Sequence, residues 1–310
     1  MKLAFMGTPA FAAEILRALT EAGHEIGLVI TQPDRRGNRG KVTCSAVKKF
    51  ALGHGLPLRQ PVRLSGDEET KAALQAFDPD LCVVAAYGQI LKKDLLDLPR
   101  LGCLNVHASL LPDLRGASPI QTAILRGDAF TGVSIMKMAE GLDTGDVISQ
   151  ARIPVDGMNY ERLEAALAEL GGELLVKTLP AVQAGSCVYT PQDPSRASYA
   201  GQIRKQDGRM DFSRSAEELE RMIRAFDPWP GAFVPGKKGP LKVWKAEVLP
   251  SAGGDLVPGT VSASGPAGID VACGSGILRI IELQAPGKKR LSAADYLRGR
   301  AVAKGEEFGI

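Results

Sequence analysis

Apolar positions in the first half of the chain alternate between two spacings. Unbroken runs at Leu3–Met6, Ile26–Ile30, Leu81–Ala86 and Leu101–His107 read as short strands buried on both faces. Between the first two, Phe11–Ala22 places Ile15, Leu16 and Leu19 on one helical face, opened by Pro9 and stopped by Gly23-His24. Strands alternating with helices predict an α/β architecture, a doubly wound, Rossmann-like parallel sheet. Gly132–Met138 and Val147–Val155 read as further strands, and Tyr160–Ala184 as a long helical pattern interrupted at Gly171-Gly172. Residues 186–204 are rich in Pro, Ser, Gln and Tyr and have no period, so they read as a linker. Beyond them Ala216–Phe226 reads as a helix ended by Asp227-Pro228-Trp229-Pro230-Gly231. Leu241–Val248, Gly259–Ala263, Gly268–Ala272 and Ile277–Leu283 then read as strands between Gly-rich turns. That rhythm predicts a smaller C-terminal β-barrel of OB-like type. Ser292 with Asp295 three residues on is a capping signature for a last short helix. The expected organisation is a first domain over 1–185, a linker over 186–204 and a second domain over 205–310.

Composition narrows what such a chain does. Its 310 residues suffice for about two cores, and 45% hydrophobic with 24% charged residues excludes disorder as the main state. The longest apolar run, Leu81–Tyr87, is far below the ~18 residues of a membrane helix. Met1–Gly7 runs straight into a strand pattern with no signal-type stretch, so a cytoplasmic protein without membrane contact is expected. The five cysteines form no CxxC pair and there are only three histidines, His24, His54 and His107, so no metal is expected. Residues 1–204 hold 22 basic and 22 acidic side chains, and residues 205–310 hold 16 and 13. Bulk charge is therefore not the main attraction for a polyanion; local clusters must supply it.

Three stretches carry candidate chemistry. The first βα turn, Met6-Gly7-Thr8-Pro9, has one glycine where a dinucleotide fingerprint needs three, and Pro9 lacks an N–H, so nicotinamide binding is disfavoured. Asn105 and His107 are two apart at the carboxyl end of a strand. They share one face, at the end where open α/β sheets bind ligands. A mutually satisfied buried Asn–His pair explains them equally well taken alone. Asp143 lies in the Gly-bracketed loop Glu140–Asp146, from which a carboxylate can orient an imidazole or only bond its own backbone. The stretch Asp34–Lys41 holds four cations, Arg35, Arg36, Arg39 and Lys41, among two glycines, and Gly287-Lys288-Lys289-Arg290 is the densest basic run of the second half. By itself each reads as a solvated charged loop.

Asn105–Pro112, Arg115–Ile120 and Gly141–Asp146, with Thr31–Arg35, Val84–Ile90, Phe226–Pro230 and Val243–Ala246, resemble the 10-formyltetrahydrofolate-dependent formyltransferases over nearly the whole chain. Ser118 stands where that family usually has Ala. The resemblance implies that Asn105, His107 and Asp143 form a catalytic trio. It assigns Tyr87, Gly88, Gln89 and Ile90 and Ser109, Leu110, Leu111 and Pro112 to the pocket of the co-substrate 10-formyltetrahydrofolate. It also implies that a basic loop at Arg35, Arg36, Arg39 and Lys41 meets the acceptor arm of initiator methionyl-tRNA, with Lys288, Lys289 and Arg290 as a second backbone-tracking patch. A monomer is expected. The competing acceptor is an amino sugar nucleotide, which has no need of the basic loop. A glycinamide ribonucleotide leaves 205–310 without a task, and a purely RNA-binding module leaves the trio without one.

Overall fold

The structure, a computed structural model, describes residues 1–36, 42–236, 239–250 and 256–308. The chain divides into two compact units, one of 1–119, 130–154 and 163–201, the other of 120–129, 155–162 and 202–310.

The chain runs first through β1 (Lys2–Gly7), α1 (Ala10–Glu21), β2 (Glu25–Ile30), β3 (Arg35–Arg36), β4 (Val42–Thr43), α2 (Ala46–Gly53) and β5 (Leu58–Arg59). It continues through α3 (Glu68–Phe77), β6 (Leu81–Ala85), α4 (Lys93–Leu96), β7 (Cys103–His107), β8 (Arg115–Gly116), α5 (Pro119–Arg126), β9 (Phe130–Lys137), β10 (Val147–Pro154), α6 (Tyr160–Gln183) and β11 (Tyr199–Ala200). Seven strands form one sheet in the order β10-β9-β7-β6-β1-β2-β5. β5, β2, β1, β6 and β7 are parallel, and β9 and β10 add an antiparallel edge. The parallel strands are buried because helices cover both faces, which is why they read as unbroken apolar runs. From β1 the chain builds outward through β2 and β5, then returns to place β6 on the other side of β1. The carboxyl ends of β1 and β6 therefore flank the switch point where such sheets bind ligands.

Two expectations change here. The helix over 160–183 is not interrupted at Gly171-Gly172. The glycines are contact points: a Cβ on Gly172 lies 2.8 Å from the Cβ of Ala18, and one on Gly171 lies 3.0 Å from Val106. Helix packing has displaced the usual propensity cost of glycine. Within 186–204, Tyr199–Ala200 pairs in parallel with Arg115–Gly116, so this stretch is structured at the sites where it is held.

The second unit carries α7 (Ala216–Phe226), β12 (Ala232–Val234), β13 (Leu241–Leu249), β14 (Val261–Gly265), β15 (Gly268–Ala272), β16 (Ile277–Gln284), β17 (Leu291–Ser292) and α8 (Ala293–Gly299). Its antiparallel sheet has the order β12-β13-β16-β15-β14, with β17 on β16. The capping signature is realised: the Ser292 hydroxyl accepts from the amide of Asp295. The expected order, an α/β sheet domain followed by a smaller β domain, is observed.

Candidate active site

The site is built where β7 runs out of the sheet. β7 lies between β6 and β9, so its residues are buried, Asn105 at 9% and His107 at 6% exposure. The chain then turns through Ser109–Pro112, with a cis Leu111-Pro112 bond. That turn is tied to the antiparallel edge by one hydroxyl. Ser134 Oγ donates to the Ser109 carbonyl at 2.7 Å and accepts from the Leu111 amide at 3.0 Å and from Gln150 Nε2 at 2.7 Å. One donor and two acceptors exhaust a serine hydroxyl. The turn presents the Leu114 carbonyl to His107, whose Nε2 lies 2.9 Å from it. A carbonyl only accepts, so Nε2 carries a hydrogen and Nδ1 is the nitrogen free to exchange a proton.

Asp143 arrives from the loop between β9 and β10. It is left-handed at φ 53°, a conformation Asp tolerates better than most residues. Gly145 lets the loop close on β9, since a Cβ there lies 1.8 Å from the Lys137 carbonyl oxygen. Asp143 Oδ2 accepts the Gly116 amide at 2.8 Å and lies 3.8 Å from His107 Nδ1. Asp143 Oδ1 accepts from Asn105 Nδ2 at 3.4 Å. The three residues named from sequence are thus brought together, with the carboxylate held on both oxygens.

The expected folate residues divide into structural and accessible ones. The Tyr87 ring is buried among Leu64, Leu74, Leu91 and Leu95, so its side chain lines the core. Among the described residues its buried hydroxyl has no hydrogen-bond partner, and burial pushes its pKa up to about 12. The Tyr87 carbonyl accepts from Gln32 Nε2 at 3.1 Å and Thr8 Oγ1 at 3.4 Å, which ties together the loops after β1, β2 and β6. Gln89 is also committed, its Oε1 accepting the Leu64 amide at 2.7 Å. Ala86, Gly88 and Ile90 are exposed, Ile90 at 83%. Ser109 and Leu111 are buried, while Leu110 and Pro112 are partly exposed.

Of the expected tRNA residues, Arg39 and Lys41 lie outside the described residues. Arg35 and Arg36 form the short β3, paired antiparallel with β4. The strand is preceded by a clamp in which Asp34 accepts from Lys48 Nζ at 2.6 Å and Gln60 Nε2 at 3.0 Å. The Lys48 ammonium holds the Asp34 carboxyl below its usual range. Lys288, Lys289 and Arg290 belong to the second unit and are exposed. Arg290 is the most committed of them, lying 3.7 Å over the Trp244 ring and donating to Asp227 at 2.7 Å.

Sequence reasoning missed Gln192. Its Nε2 donates to the carbonyls of Asp143 at 2.8 Å and Gly145 at 2.7 Å, and its Oε1 accepts from Arg115 Nη2 at 2.7 Å and Nε at 3.0 Å. No periodicity marks such a residue, because its partners are loop carbonyls and not a sheet or helix face. Among the described residues no group of three or more His, Cys, Asp or Glu side chains is placed to hold a metal ion, and no helix is long and apolar enough to cross a membrane.

Comparison with known proteins shows what the chain as a whole is similar to. Residues 1–179 match the formyl transferase family and residues 202–301 the formyl transferase C-terminal domain. A methionyl-tRNA formyltransferase of Thiobacillus denitrificans is 50% identical over all of both chains, and one of Myxococcus xanthus is 48% identical over 99% of this chain and 97% of that one. Solved structures share the fold at lower identity. HypX of Aquifex aeolicus in complex with tetrahydrofolic acid has a TM-score of 0.67 at 18% identity, covering 98% of this chain but only 48% of its own. An N-formyltransferase of Helicobacter canadensis, in complex with folinic acid and dTDP-3-aminofucose, has a TM-score of 0.66 at 17% identity, with 90% and 99% of the two chains covered. With a matching family pattern over more than half its length and relatives near half-identical throughout, the chain belongs to the formyl transferase family.

Proposed function

We propose that this enzyme transfers the formyl group of 10-formyltetrahydrofolate to the amino group of initiator methionyl-tRNA. The observation that carries the proposal is the convergence of Asn105, His107 and Asp143 at the end of β7, in a chain half-identical throughout to a methionyl-tRNA formyltransferase. The bound folate supplies an activated formyl carbon. The exposed residues Ala86, Gly88 and Ile90 and the turn at Leu110–Pro112 suit it, because a flat pterin needs apolar walls and main-chain polar groups. The Asn105 amide has two hydrogens; one meets Asp143, and the other is assigned to the negative charge that develops on the formyl oxygen. The attacking amine must lose a proton and the departing folate nitrogen must gain one. His107 Nδ1 takes the first and returns the second, with Asp143 steadying the charged imidazole. No covalent enzyme species and no metal are needed.

In this reading the first unit holds the chemistry, and the second unit with the basic stretch around Arg35–Lys41 holds the tRNA. The protein works as a cytoplasmic monomer. The test is a formyl-transfer assay that sets methionyl-tRNA against a dTDP-amino sugar as acceptor. Transfer to methionyl-tRNA with release of tetrahydrofolate is expected; transfer to the sugar alone overturns the reading.

A further inference from the structure

We infer that Gln192 is a positioning residue, which sets the 141–146 loop so that the Asp143 carboxylate lies against Asn105 and His107. The inference rests on the proposed role of Asp143 in the chemistry. Chemical type fixes the orientation of the carboxamide. Arg115 carries only donors, so the Gln192 oxygen faces it, at 2.7 and 3.0 Å. The amide nitrogen then faces two carbonyls, those of Asp143 and Gly145, at 2.8 and 2.7 Å. All four bonding positions are filled. Arg115 is itself 5% exposed, so its guanidinium is a rigid base for the arrangement.

The same strap touches the other side of the carboxylate. The Gly116 amide donates to Asp143 Oδ2 at 2.8 Å. Residues 114–117 are held by 198–200: the Ser198 carbonyl accepts the Arg115 amide at 2.9 Å, and the Ala200 carbonyl accepts the Ala117 amide at 2.9 Å. Thr190 exchanges both backbone hydrogen bonds with Val147, at 2.9 Å each, just beyond the Asp143 loop. The stretch 190–200 thus fixes both the backbone of Asp143 and the amide that holds its side chain. Within this stretch the Gln192 side chain reaches both halves, bonding the Asp143 and Gly145 carbonyls on one side and the Arg115 guanidinium on the other. A left-handed aspartate has no helix or strand ladder to keep it in place, and this bonding supplies that restraint.

Two variants test it. Gln192→Glu keeps an acceptor for Arg115 but presents oxygen to the carbonyls of Asp143 and Gly145. Gln192→Met keeps the length and removes every hydrogen bond. Amide exchange of Gly116, read by NMR, reports the carboxylate's position without reference to catalysis. The expected result in both variants is ~10-fold faster exchange at Gly116 with β1 amides unchanged. It is accompanied by a ~10- to 100-fold fall in kcat with KM for both substrates held within ~3-fold. A purely structural residue would instead lower Tm, raise exchange throughout the unit and leave kcat per folded molecule unchanged; that result overturns the inference. Unchanged exchange at Gly116 in both variants overturns it as well, whatever happens to turnover. Faster exchange at Gly116 with full turnover keeps Gln192 as the anchor of Asp143 and removes Asp143 from the chemistry, so the two readings fail separately.

Discussion

The proposed proton transfer at His107 needs one ring nitrogen facing the reacting groups, and a backbone carbonyl sets which one. Leu114 holds Nε2–H, and Nδ1 is turned toward the Asp143 carboxylate. Replacing His107, Asn105 or Asp143 by Ala is expected to lower kcat by ~10²-fold or more, the usual scale for acid–base and oxyanion groups. Formyl transfer with a parallel thermal melt checks this; near-normal turnover in all three variants removes the site. Tyr87 supplies a residue-scale contrast. Its hydroxyl has no partner among the described residues, so the oxygen adds burial cost without a compensating bond. Tyr87→Phe is therefore expected to stabilise the protein by about 1 kcal/mol in urea unfolding, while a loss of that size means that the hydroxyl holds a buried water. Asn105 and His107 are legible in the sequence because a two-residue spacing at a strand end places both on one face. Asp143 comes from resemblance, since nothing local separates a loop aspartate that reaches a histidine from one that bonds its own turn. Tyr87 enters through the resemblance as a pocket residue and not as a core ring, because loop spacing does not encode which side chain turns inward.

Elements with local signals are legible in the sequence almost to the residue. Ala216–Phe226 is a helix as expected, because its start is written in a capping box: Ser215 Oγ accepts the Glu218 amide at 3.1 Å, and Glu218 Oε2 accepts the Ser215 amide at 3.0 Å. The Ser215 amide, and then Arg214, lower the Glu218 pKa to about 2. A carboxylate whose folded pKa is depressed contributes stability above its unfolded value, near 4.5, and loses it as pH falls toward the folded value. Glu218→Gln should therefore melt lower than wild type at pH 7, and the difference should shrink between about pH 4.5 and 2. A pH-independent difference would trace the loss to packing and not to ionisation. Ser215→Ala should cost about 1 kcal/mol at pH 7. The elements that differ from expectation lack such local signals. Gly171 and Gly172 look like a break in isolation, and only the approach of Ala18 and Val106 makes them interior helix positions. The stretch 186–204 looks like a linker because its hydrogen bonds run to 113–117, 143–147 and their neighbours, pairings that no period records.

At the scale of the molecule, the sequence reads as two domains in series, and contacts in the structure add two short stretches of the expected first domain to the C-terminal unit. Residues 120–129 and 155–162 group with the C-terminal unit. Arg221 donates to the Leu125 carbonyl and Arg224 to the Met158 carbonyl, long-range bonds invisible to composition. The proposed division of labour can still be tested unit by unit, because charge and chemistry respond to different variables. Removing a cation that neutralises one phosphate should make log K less steep in log salt by roughly 0.7 to 0.9. Lys288→Ala with Lys289→Ala removes two exposed cations from the second unit, and Arg39→Ala removes one from the first. Both proteins are expected to bind methionyl-tRNA more weakly at low salt and with a shallower salt slope, while folate affinity stays at the wild-type value. They should differ in turnover. The lysine variant should recover full kcat at saturating tRNA, since phosphate-backbone binding alone is uniform between ground and transition states. Arg39→Ala should retain a lowered kcat, because the place proposed for that cation, near the acceptor end, lets it orient the amine as well. Asp143→Asn provides the opposite control, with the wild-type salt slope and little turnover. Measuring tRNA affinity from low to moderate salt for all four proteins decides the matter. A wild-type slope in both cation variants would mean that neither basic stretch touches the phosphate backbone, and the tRNA would have to be held elsewhere on the chain.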